Sequence, residues 1–244
     1  MTLVDCLLPA RLGSSRFPGK PLVLINGVPL VVRAARQALA AKCFARVVVV
    51  TEDDAIVAAC RTWTVEALKT PPFPTGTDRV AWAAQVLGSE WVVNLQGDEP
   101  IFPPQALRDV AACLPEDPEV LWTCAQAAPL TAAELADPDI VKICLEHPEA
   151  PVSLATDFHR TLPQGLESCA RVHVGLYAGS AQALARFGAL PQPPVELERR
   201  IEPLRALEAG MAVRALVRDL PRVAVDRPEH VAQVEAALQQ ENCR

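Results

Sequence analysis

The sequence contains no apolar segment long enough to cross a membrane. Its purely apolar runs, such as 47–50, have the length of a β-strand, whereas a transmembrane helix needs about 20 apolar residues. A charged and apolar secretory leader is also missing. These absences predict a soluble, cytoplasmic protein with no membrane partner.

The charge balance excludes a second class of partner. The chain of 244 residues carries a formal net charge of −6, whereas a nucleic-acid-binding protein is expected to present a broad basic surface. Apolar residues make up 50% of the sequence, which is ample for a sizeable core. We therefore expect a single domain over residues 1–244, no nucleic-acid partner, and a local role for any cluster of cations.

The cysteines lack the spacing of a metal site or of a disulfide framework. No pair of them shows C-x-x-C spacing. Disulfide frameworks belong mostly to small secreted domains, and zinc sites need paired ligands. We expect reduced and mostly buried thiols at positions 6, 43, 60, 113, 124, 144, 169 and 243.

Two common nucleotide-binding signatures are absent as well. A P-loop has four residues between its glycines and a hydroxyl residue after its lysine. Here five residues separate Gly13 from Gly19, and Pro21 follows Lys20. No G-x-G-x-x-G motif follows a candidate strand, which removes the main support for a nicotinamide or flavin enzyme.

The loop after the first apolar segment nevertheless concentrates the features of a phosphate site. Residues 3–8 are predicted to form a strand, and residues 9–22 after it contain three cations, two serines and two glycines. Open α/β sheets bind ligands at the carboxyl ends of their strands. Glycine lets the backbone approach a ligand closely, and cations attract phosphate oxygens. This pattern favours a polyphosphate-binding loop over a solvated basic surface loop.

Strand-like and helix-like segments alternate along the chain, which predicts an α/β fold with a mainly parallel sheet covered by helices. Residues 115–118 and 191–194 are predicted to be loops, not domain linkers. The pattern predicts strands over 3–8, 46–51, 91–95, 121–125, 140–145, 170–177 and 212–217. It predicts helices over 29–41, 54–61, 78–87, 181–187, 196–209 and 229–240.

Six segments in order resemble the sugar-activating cytidylyltransferases, and most closely the 3-deoxy-manno-octulosonate (Kdo) cytidylyltransferase family. The resemblance implies a nucleotide-diphospho-sugar-transferase-like fold, which is a Rossmann-like three-layer sandwich. It also implies a small dimerisation layer and a homodimer. The six segments lie at 9–22, 75–79, 94–100, 138–142, 173–177 and 225–229.

Nucleotidyl transfer depends on positioning and charge neutralisation more than on covalent catalysis. Asp98 directly follows an apolar strand, and Gly97 permits a tight approach there. Mg²⁺ takes few protein carboxylates, so two aspartates suffice. The resemblance makes Asp226 the second ligand, whereas spacing alone favours a helix N-cap at that position. The expected catalytic residues are Arg11, Lys20 and Asp98, and the expected Mg²⁺ ligands are Asp98 and Asp226.

The segment 75–79 also has two interpretations. A Thr/Gly/Asp cluster before a periodic apolar segment is most often the start of a helix. The resemblance places this segment against the nucleotide base instead. The expected nucleotide-binding residues are Arg11, Ser14, Arg16, Lys20, Gly76 and Arg79.

The acceptor sugar is expected to be an acidic ulosonic acid. His173 and Tyr177 share one face of a predicted strand, although a lone histidine is more often a core residue. Pro203 departs from the family pattern, because proline within a helix costs about 3 kcal/mol unless the helix begins there. The expected sugar-binding residues are Gln96, Arg160, His173, Tyr177 and Glu202.

Together these features imply a Mg²⁺-dependent enzyme that joins CTP to Kdo, giving CMP-Kdo and pyrophosphate for lipopolysaccharide synthesis. The alternatives are a cytidylyltransferase for an acylneuraminate or an amino-Kdo, and a uridylyl- or guanylyltransferase of the same fold class. A non-catalytic sugar-nucleotide-binding module is a third alternative. It would be expected to lack a cation or a carboxylate that this chain retains.

Overall fold

The computed structural model describes residues 3–13, 17–221, 225 and 227–241. Strands and helices alternate through the first half of the chain, as predicted. The strands are β1 Val4–Ala10, β2 Leu24–Ile25, β3 Val28–Pro29, β4 Arg46–Thr51, β5 Glu66–Lys69, β6 Trp91–Leu95, β7 Leu121–Gln126, β8 Lys142–Leu145, β9 Val152–His159, β10 Ala170–Ser180 and β11 Val213–Arg218. The helices are α1 Leu30–Ala41, α2 Asp54–Thr62, α3 Gly76–Leu87, α4 Pro104–Cys113, α5 Ala132–Ala136, α6 Ala181–Ala189, α7 Pro194–Arg199, α8 Leu204–Glu208 and α9 His230–Glu241.

Nine of these strands form one sheet in the order β5-β4-β1-β6-β10-β7-β11-β9-β8. The strands β5, β4, β1 and β6 are mutually parallel, and so are β7 and β11. Strand β10 runs antiparallel between β6 and β7. The predicted fold class is therefore confirmed, with an antiparallel strand at the centre that the apolar pattern did not indicate.

Helices cover both faces of the sheet because its central strands are apolar on both sides. Strand β1 buries Cys6 and Leu8 in one cluster with residues of α1, α2 and α4. It buries Leu7 in a second cluster with residues of α3, α6 and α8. This alternation gives the three-layer arrangement that the resemblance implied.

The β9–β8 end of this sheet forms a small extension. It consists of β8, β9 and the first residues of β10, where Ala170–Val172 pair with β8. The outer face of β9 exposes Val152 and Leu154. Within the described ranges, no helix combines the length and the apolar character needed to cross a membrane.

The predicted helix over 196–209 is wrong as a single element. Helix α7 ends at Arg199, and Arg200 takes a left-handed conformation with φ 56°. Pro203 is the N-cap of α8, which begins at Leu204. Because the proline precedes the new helix, it removes no helical hydrogen bond. Six elements were also missed, namely β2, β3, β5, β9, α4 and α5.

Candidate active site

An open cleft of about 670 Å³ lies at the carboxyl ends of β1 and β6. We call its two sides the N-terminal wall, formed by residues of 9–13, 20–21, 30, 75–79 and 96–98, and the C-terminal wall, formed by residues of 138–139, 160 and 200–202. Strand ends of the parallel part of the sheet thus open into the cleft, as expected for ligand sites in open α/β folds.

The loop after β1 is closed by its own backbone. The amide of Gly19 donates to the carbonyl of Leu12 at 3.0 Å, and Gly19 has a φ of 75°, which favours glycine. The amide of Leu12 donates to Asp53 Oδ2 at 2.8 Å. Sequence reasoning missed Asp53, which lies just after β4 and thus at the same edge of the sheet. Ser14 and Arg16 lie outside the described residues.

Lys20 and Asp98 form an ion pair within the N-terminal wall, with Lys20 Nζ 2.7 Å from Asp98 Oδ2. Their side chains are 14% and 30% exposed, so the carboxylate remains accessible from the cleft. Gly97 permits the close packing behind them, because a Cβ atom there would lie 3.3 Å from the carbonyl oxygen of Pro9. The structure thus brings together two residues that the sequence analysis assigned to the site.

Two residues of the C-terminal segment also contact the cleft. The amide of Val225 donates to the carbonyl of Asp98 at 3.0 Å. Arg227 forms an ion pair with Asp139, which belongs to the C-terminal wall. Asp226 itself lies outside the described residues.

The start of α3 completes the N-terminal wall. Thr75 caps this helix by accepting a hydrogen bond from the amide of Asp78, so the helix-start interpretation of 75–79 is confirmed. Gly76 faces the cleft, where a Cβ atom would lie 3.2 Å from Pro9 Cγ and 3.5 Å from Gln96 Oε1. The side chain of Gln96 is oriented by a hydrogen bond to Asn94. A small residue at position 76 therefore keeps this part of the cleft open.

Arg79 borders the cleft, but its guanidinium group is bonded to other residues of the protein. It is only 2% exposed, donates to Thr70 Oγ1 at 2.5 Å and lies 3.2 Å from a carboxylate oxygen of Glu52. These contacts fix the segment before α3 that leads to Gly76. Arg79 therefore shapes the wall, and its guanidinium group is already bonded within the protein.

Arg160 is similarly engaged in the C-terminal wall. Its guanidinium group donates to the carbonyl oxygens of Pro138, Asp139, Arg199 and Arg200 at 3.0 to 3.3 Å. These bonds join the 138–139 loop to the end of α7. The residue thus positions the wall by contacts that the sequence did not indicate.

Glu202 links the two walls. Its Oε2 atom accepts a hydrogen bond from the amide of Thr77 at 3.3 Å, at the start of α3. Burial raises the pKa of Glu202, although the bonds from Thr77 lower it. The carboxylate lies where the helix N-terminus favours negative charge.

His173 and Tyr177 share one face, as predicted, with stacked rings whose centroids are 5.6 Å apart. Thr123 donates its hydroxyl to the carbonyl of Leu176, so it accepts from His173 Nε2 at 2.8 Å. Burial lowers the pKa of His173 to about 4, which makes the ring neutral at pH 7. Burial, followed by the nearby Glu202, raises the pKa of Tyr177. Neither ring lines the main cleft; Tyr177 and Glu202 border a small cavity of about 20 Å³ behind it.

A buried ion network behind the cleft was missed by sequence reasoning. Arg205 pairs with Asp78 of α3 and with Glu196 of α7 at 2.7 Å each. Burial lowers the pKa of Arg205, but hydrogen bonds to Glu196 and Asp78 outweigh it and raise the pKa overall. The network locks α7 and α8 against the helix that carries Gly76.

The donor set at Asp98 fits a hard divalent cation. One carboxylate oxygen pairs with Lys20, and Asp98 makes no other side-chain hydrogen bond with the described part of the chain. No group of three metal-binding side chains occurs within the described ranges. Mg²⁺ binds through one or two carboxylates and completes its shell with phosphate and water oxygens.

Comparisons with known proteins identify the family of the chain. The sequence profile of the family described as cytidylyltransferase matches residues 6–214. A 3-deoxy-manno-octulosonate cytidylyltransferase of Halorhodospira halophila is 41% identical, with 96% of each chain covered. A protein of the same name from Desulfatibacillum aliphaticivorans is 37% identical, covering 96% of this chain and 98% of the relative.

Solved structures with the same fold include a protein named for CMP-Kdo synthesis. The structure of CMP:2-keto-3-deoxy-manno-octonic acid synthetase complexed with CTP superposes with a TM-score of 0.87 at 30% identity, covering 98% of this chain and 100% of that one. UDP-glucose pyrophosphorylase complexed with UDP-glucose shares the fold, with a TM-score of 0.70 at 15% identity over 98% of this chain and 100% of that one. From the profile match and these relatives, the chain belongs to the cytidylyltransferase family.

Proposed function

We propose that the cleft transfers the cytidylyl group of CTP to the anomeric hydroxyl of Kdo, giving CMP-Kdo and pyrophosphate. The observation that carries the proposal is the Lys20–Asp98 pair, which sets a cation and an accessible carboxylate side by side in an open cleft. The related proteins named for this reaction cover nearly the whole chain, which supports the same choice of substrates.

The N-terminal wall is suited to a nucleoside triphosphate. Lys20 and Arg11 line the cleft and can neutralise phosphate oxygens, and we assign Ser14 and Arg16 to the same task. The opening at Gly76 suits the small cytosine base, and Arg79 holds the segment next to it. These groups bind and orient CTP so that its α-phosphorus faces the acceptor.

We assign the Mg²⁺ ligands to Asp98 and Asp226. The contacts of Val225 with Asp98 and of Arg227 with Asp139 support this pairing, because they bring the C-terminal segment to the cleft. Bound Mg²⁺ would neutralise phosphate charge that the side-chain cations do not reach. Chelation with EDTA should abolish turnover, and added Mg²⁺ should restore it.

The C-terminal wall is suited to a polyhydroxylated acid. The Glu202 carboxylate can accept hydrogen bonds from sugar hydroxyls, and Gln96 offers amide groups from the opposite wall. Arg160 holds the wall in place, Tyr177 borders the same small cavity as Glu202, and His173 stacks on Tyr177. We therefore assign these five residues to the acceptor side.

We further propose a homodimer formed through the small extension, acting in the cytoplasm in lipopolysaccharide synthesis. The exposed Val152 and Leu154 on β9 support this interface, because adjacent apolar side chains on one strand face favour burial. Light scattering should give the mass of two chains, and Leu154→Glu should shift it toward one chain.

The test of the reaction is pyrophosphate release with four nucleoside triphosphates crossed against four sugars. The sugars are Kdo, 8-amino-Kdo, N-acetylneuraminate and glucose 1-phosphate. We expect CTP with Kdo to give the highest kcat/KM. Preference for another acidic sugar would reassign the acceptor. Turnover of glucose 1-phosphate with another nucleotide would overturn the proposed reaction. No turnover at all would favour a non-catalytic sugar-nucleotide-binding module.

A further inference from the structure

Among the described residues, five cationic side chains border the cleft, and they differ in whether their charged group already has a hydrogen-bond or ion-pair partner in the protein. Lys20 pairs with Asp98, Arg79 lies 3.2 Å from Glu52, and Arg160 donates to four carbonyl oxygens. Within the described ranges, no hydrogen bond or ion pair is made by the guanidinium groups of the other two, Arg11 and Arg200.

These two side chains lie on opposite walls. Arg11 belongs to the loop after β1, beside Lys20, and therefore to the phosphate side. Arg200 lies at the end of α7, two residues before Glu202, and therefore on the acceptor side. It was not among the site residues that the sequence indicated.

The backbone holds Arg200 in a conformation that side chains rarely adopt. Its φ and ψ are 56° and 50°, in the left-handed region where glycine is preferred. The amide of Arg200 donates to the main-chain carbonyl of Glu196 at 2.7 Å, and the carbonyl of Arg200 accepts from the guanidinium group of Arg160. Arg200 is the C-cap of α7, a position where helices commonly adopt this conformation, and its two main-chain hydrogen bonds fix an exposed arginine at the cleft.

The chemistry of the acceptor requires such a cation. Kdo carries a carboxylate next to its reacting hydroxyl, and a site for it needs a cation that is not already hydrogen-bonded within the protein. Arg160 was expected among the sugar-binding residues, but its guanidinium group is bonded to main-chain carbonyls. The planar fork of an arginine is suited to bind a carboxylate through two hydrogen bonds.

We propose that Arg200 recognises the carboxylate of the acceptor sugar and so selects acidic sugars over neutral ones. This inference rests on the proposed function, because it assigns a specificity residue to that same cleft.

The test compares Arg200→Asn with the parental protein in steady-state kinetics. Asparagine tolerates the left-handed conformation, so the variant should fold normally. We expect the KM for Kdo to rise about tenfold or more, as for loss of a charged hydrogen-bond partner, and the KM for CTP to stay nearly unchanged. Arg200→Lys should restore part of the loss. Arg61→Asn, which removes an exposed arginine outside the cleft, is the matched control and should match the parental protein.

A second arm uses the C1 carboxamide of Kdo as a competing inhibitor. The parental protein should bind the acid in preference to the amide, and Arg200→Asn should lose most of that preference. Two results would overturn this inference and leave the proposed function standing, provided that the parental protein turns over Kdo. One is an Arg200→Asn variant that still prefers the acid to the amide as strongly as the parental protein. The other is a rise in the KM for CTP in place of the KM for Kdo. If the parental protein turned over only neutral sugars or sugar phosphates, both the proposed function and this inference would be overturned.

Discussion

The two walls of the cleft carry similar charges but use them differently. In the N-terminal wall, Lys20 and Asp98 meet at the cleft itself, in the segments that follow the neighbouring strands β1 and β6. In the C-terminal wall, the guanidinium group of Arg160 and, behind it, that of Arg205 hold loops and helices in place. We infer that the Lys20–Asp98 pair serves ligand binding, whereas Arg160 and Arg205 serve the shape of the site.

The largest effect should follow from breaking the network behind the C-terminal wall. Arg205→Leu leaves the carboxylates of Asp78 and Glu196 buried without their cation. We expect a loss of about 3–5 kcal/mol in the free energy of unfolding, measured by urea denaturation.

Arg186→Leu is the matched control, since it removes an exposed ion pair with Glu119. Exposed pairs contribute about 0–1 kcal/mol, so this variant should remain nearly as stable as the parental protein. Equal losses in both variants would remove the structural role that we assign to Arg205.

The converse result is expected for the N-terminal wall. Lys20→Ala should reduce kcat by about 10²–10³-fold, the effect of removing a preorganised charge from a transition state. The free energy of unfolding should change by less than about 1 kcal/mol because the pair is partly exposed. Lys69→Ala, which breaks the exposed pair with Asp54 outside the cleft, should leave turnover intact. Near-parental turnover of Lys20→Ala would show that this wall is not the phosphate site.

A smaller effect should follow from narrowing the cleft at Gly76. The methyl group of Gly76→Ala meets Pro9 and Gln96 at 3.2 and 3.5 Å, and overpacking of this kind costs about 1–3 kcal/mol. We expect CTP binding, measured by calorimetry, to weaken more than Kdo binding. Gly188→Ala crowds Ala81 at a similar distance outside the cleft and should leave CTP binding unchanged. Equal binding of CTP by both variants would contradict the placement of the base.

The smallest effect concerns pH and the C-terminal side. Burial lowers the pKa of His173 from 6.5 to about 4. Between these values the unfolded chain binds more protons at this residue than the folded one, so folding stability should fall as the pH falls from 6.5 to 4.

His173→Gln keeps a donor for Thr123 and removes the titration, so it should flatten this part of the stability profile. Exposed His147→Gln is the control and should keep the parental slope. Unfolding free energies at half-unit pH intervals would test this, and identical slopes in all three proteins would contradict it.

The contrast between the walls also explains what could be predicted from the sequence. The strand at Arg46–Thr51 was predicted with the observed bounds, because four buried valines leave few alternatives. Lys20 and Asp98 were assigned to one site because each lies in a segment that follows a predicted parallel strand, and the carboxyl ends of such strands meet at one edge of the sheet.

The C-terminal wall is assembled by distant contacts that leave no local pattern. Strand β9 has alternating burial but was missed, and the break at Arg200 depends on an irregular conformation that arginine does not indicate. The bonds of Arg160 to residues 138–139 and 199–200 depend on the packing of β9 against α7 and α8. Only the three-dimensional arrangement reveals which arginine is free to bind a ligand.

The most direct test of the account is to follow a mixture of CTP, Kdo, Mg²⁺ and the protein by ³¹P nuclear magnetic resonance. The account predicts that a phosphodiester signal of CMP-Kdo and a pyrophosphate signal grow in equal amounts, and that Asp98→Asn, while folded, produces neither. Two results would contradict the account: no phosphodiester signal with folded parental protein, or full product formation by Asp98→Asn.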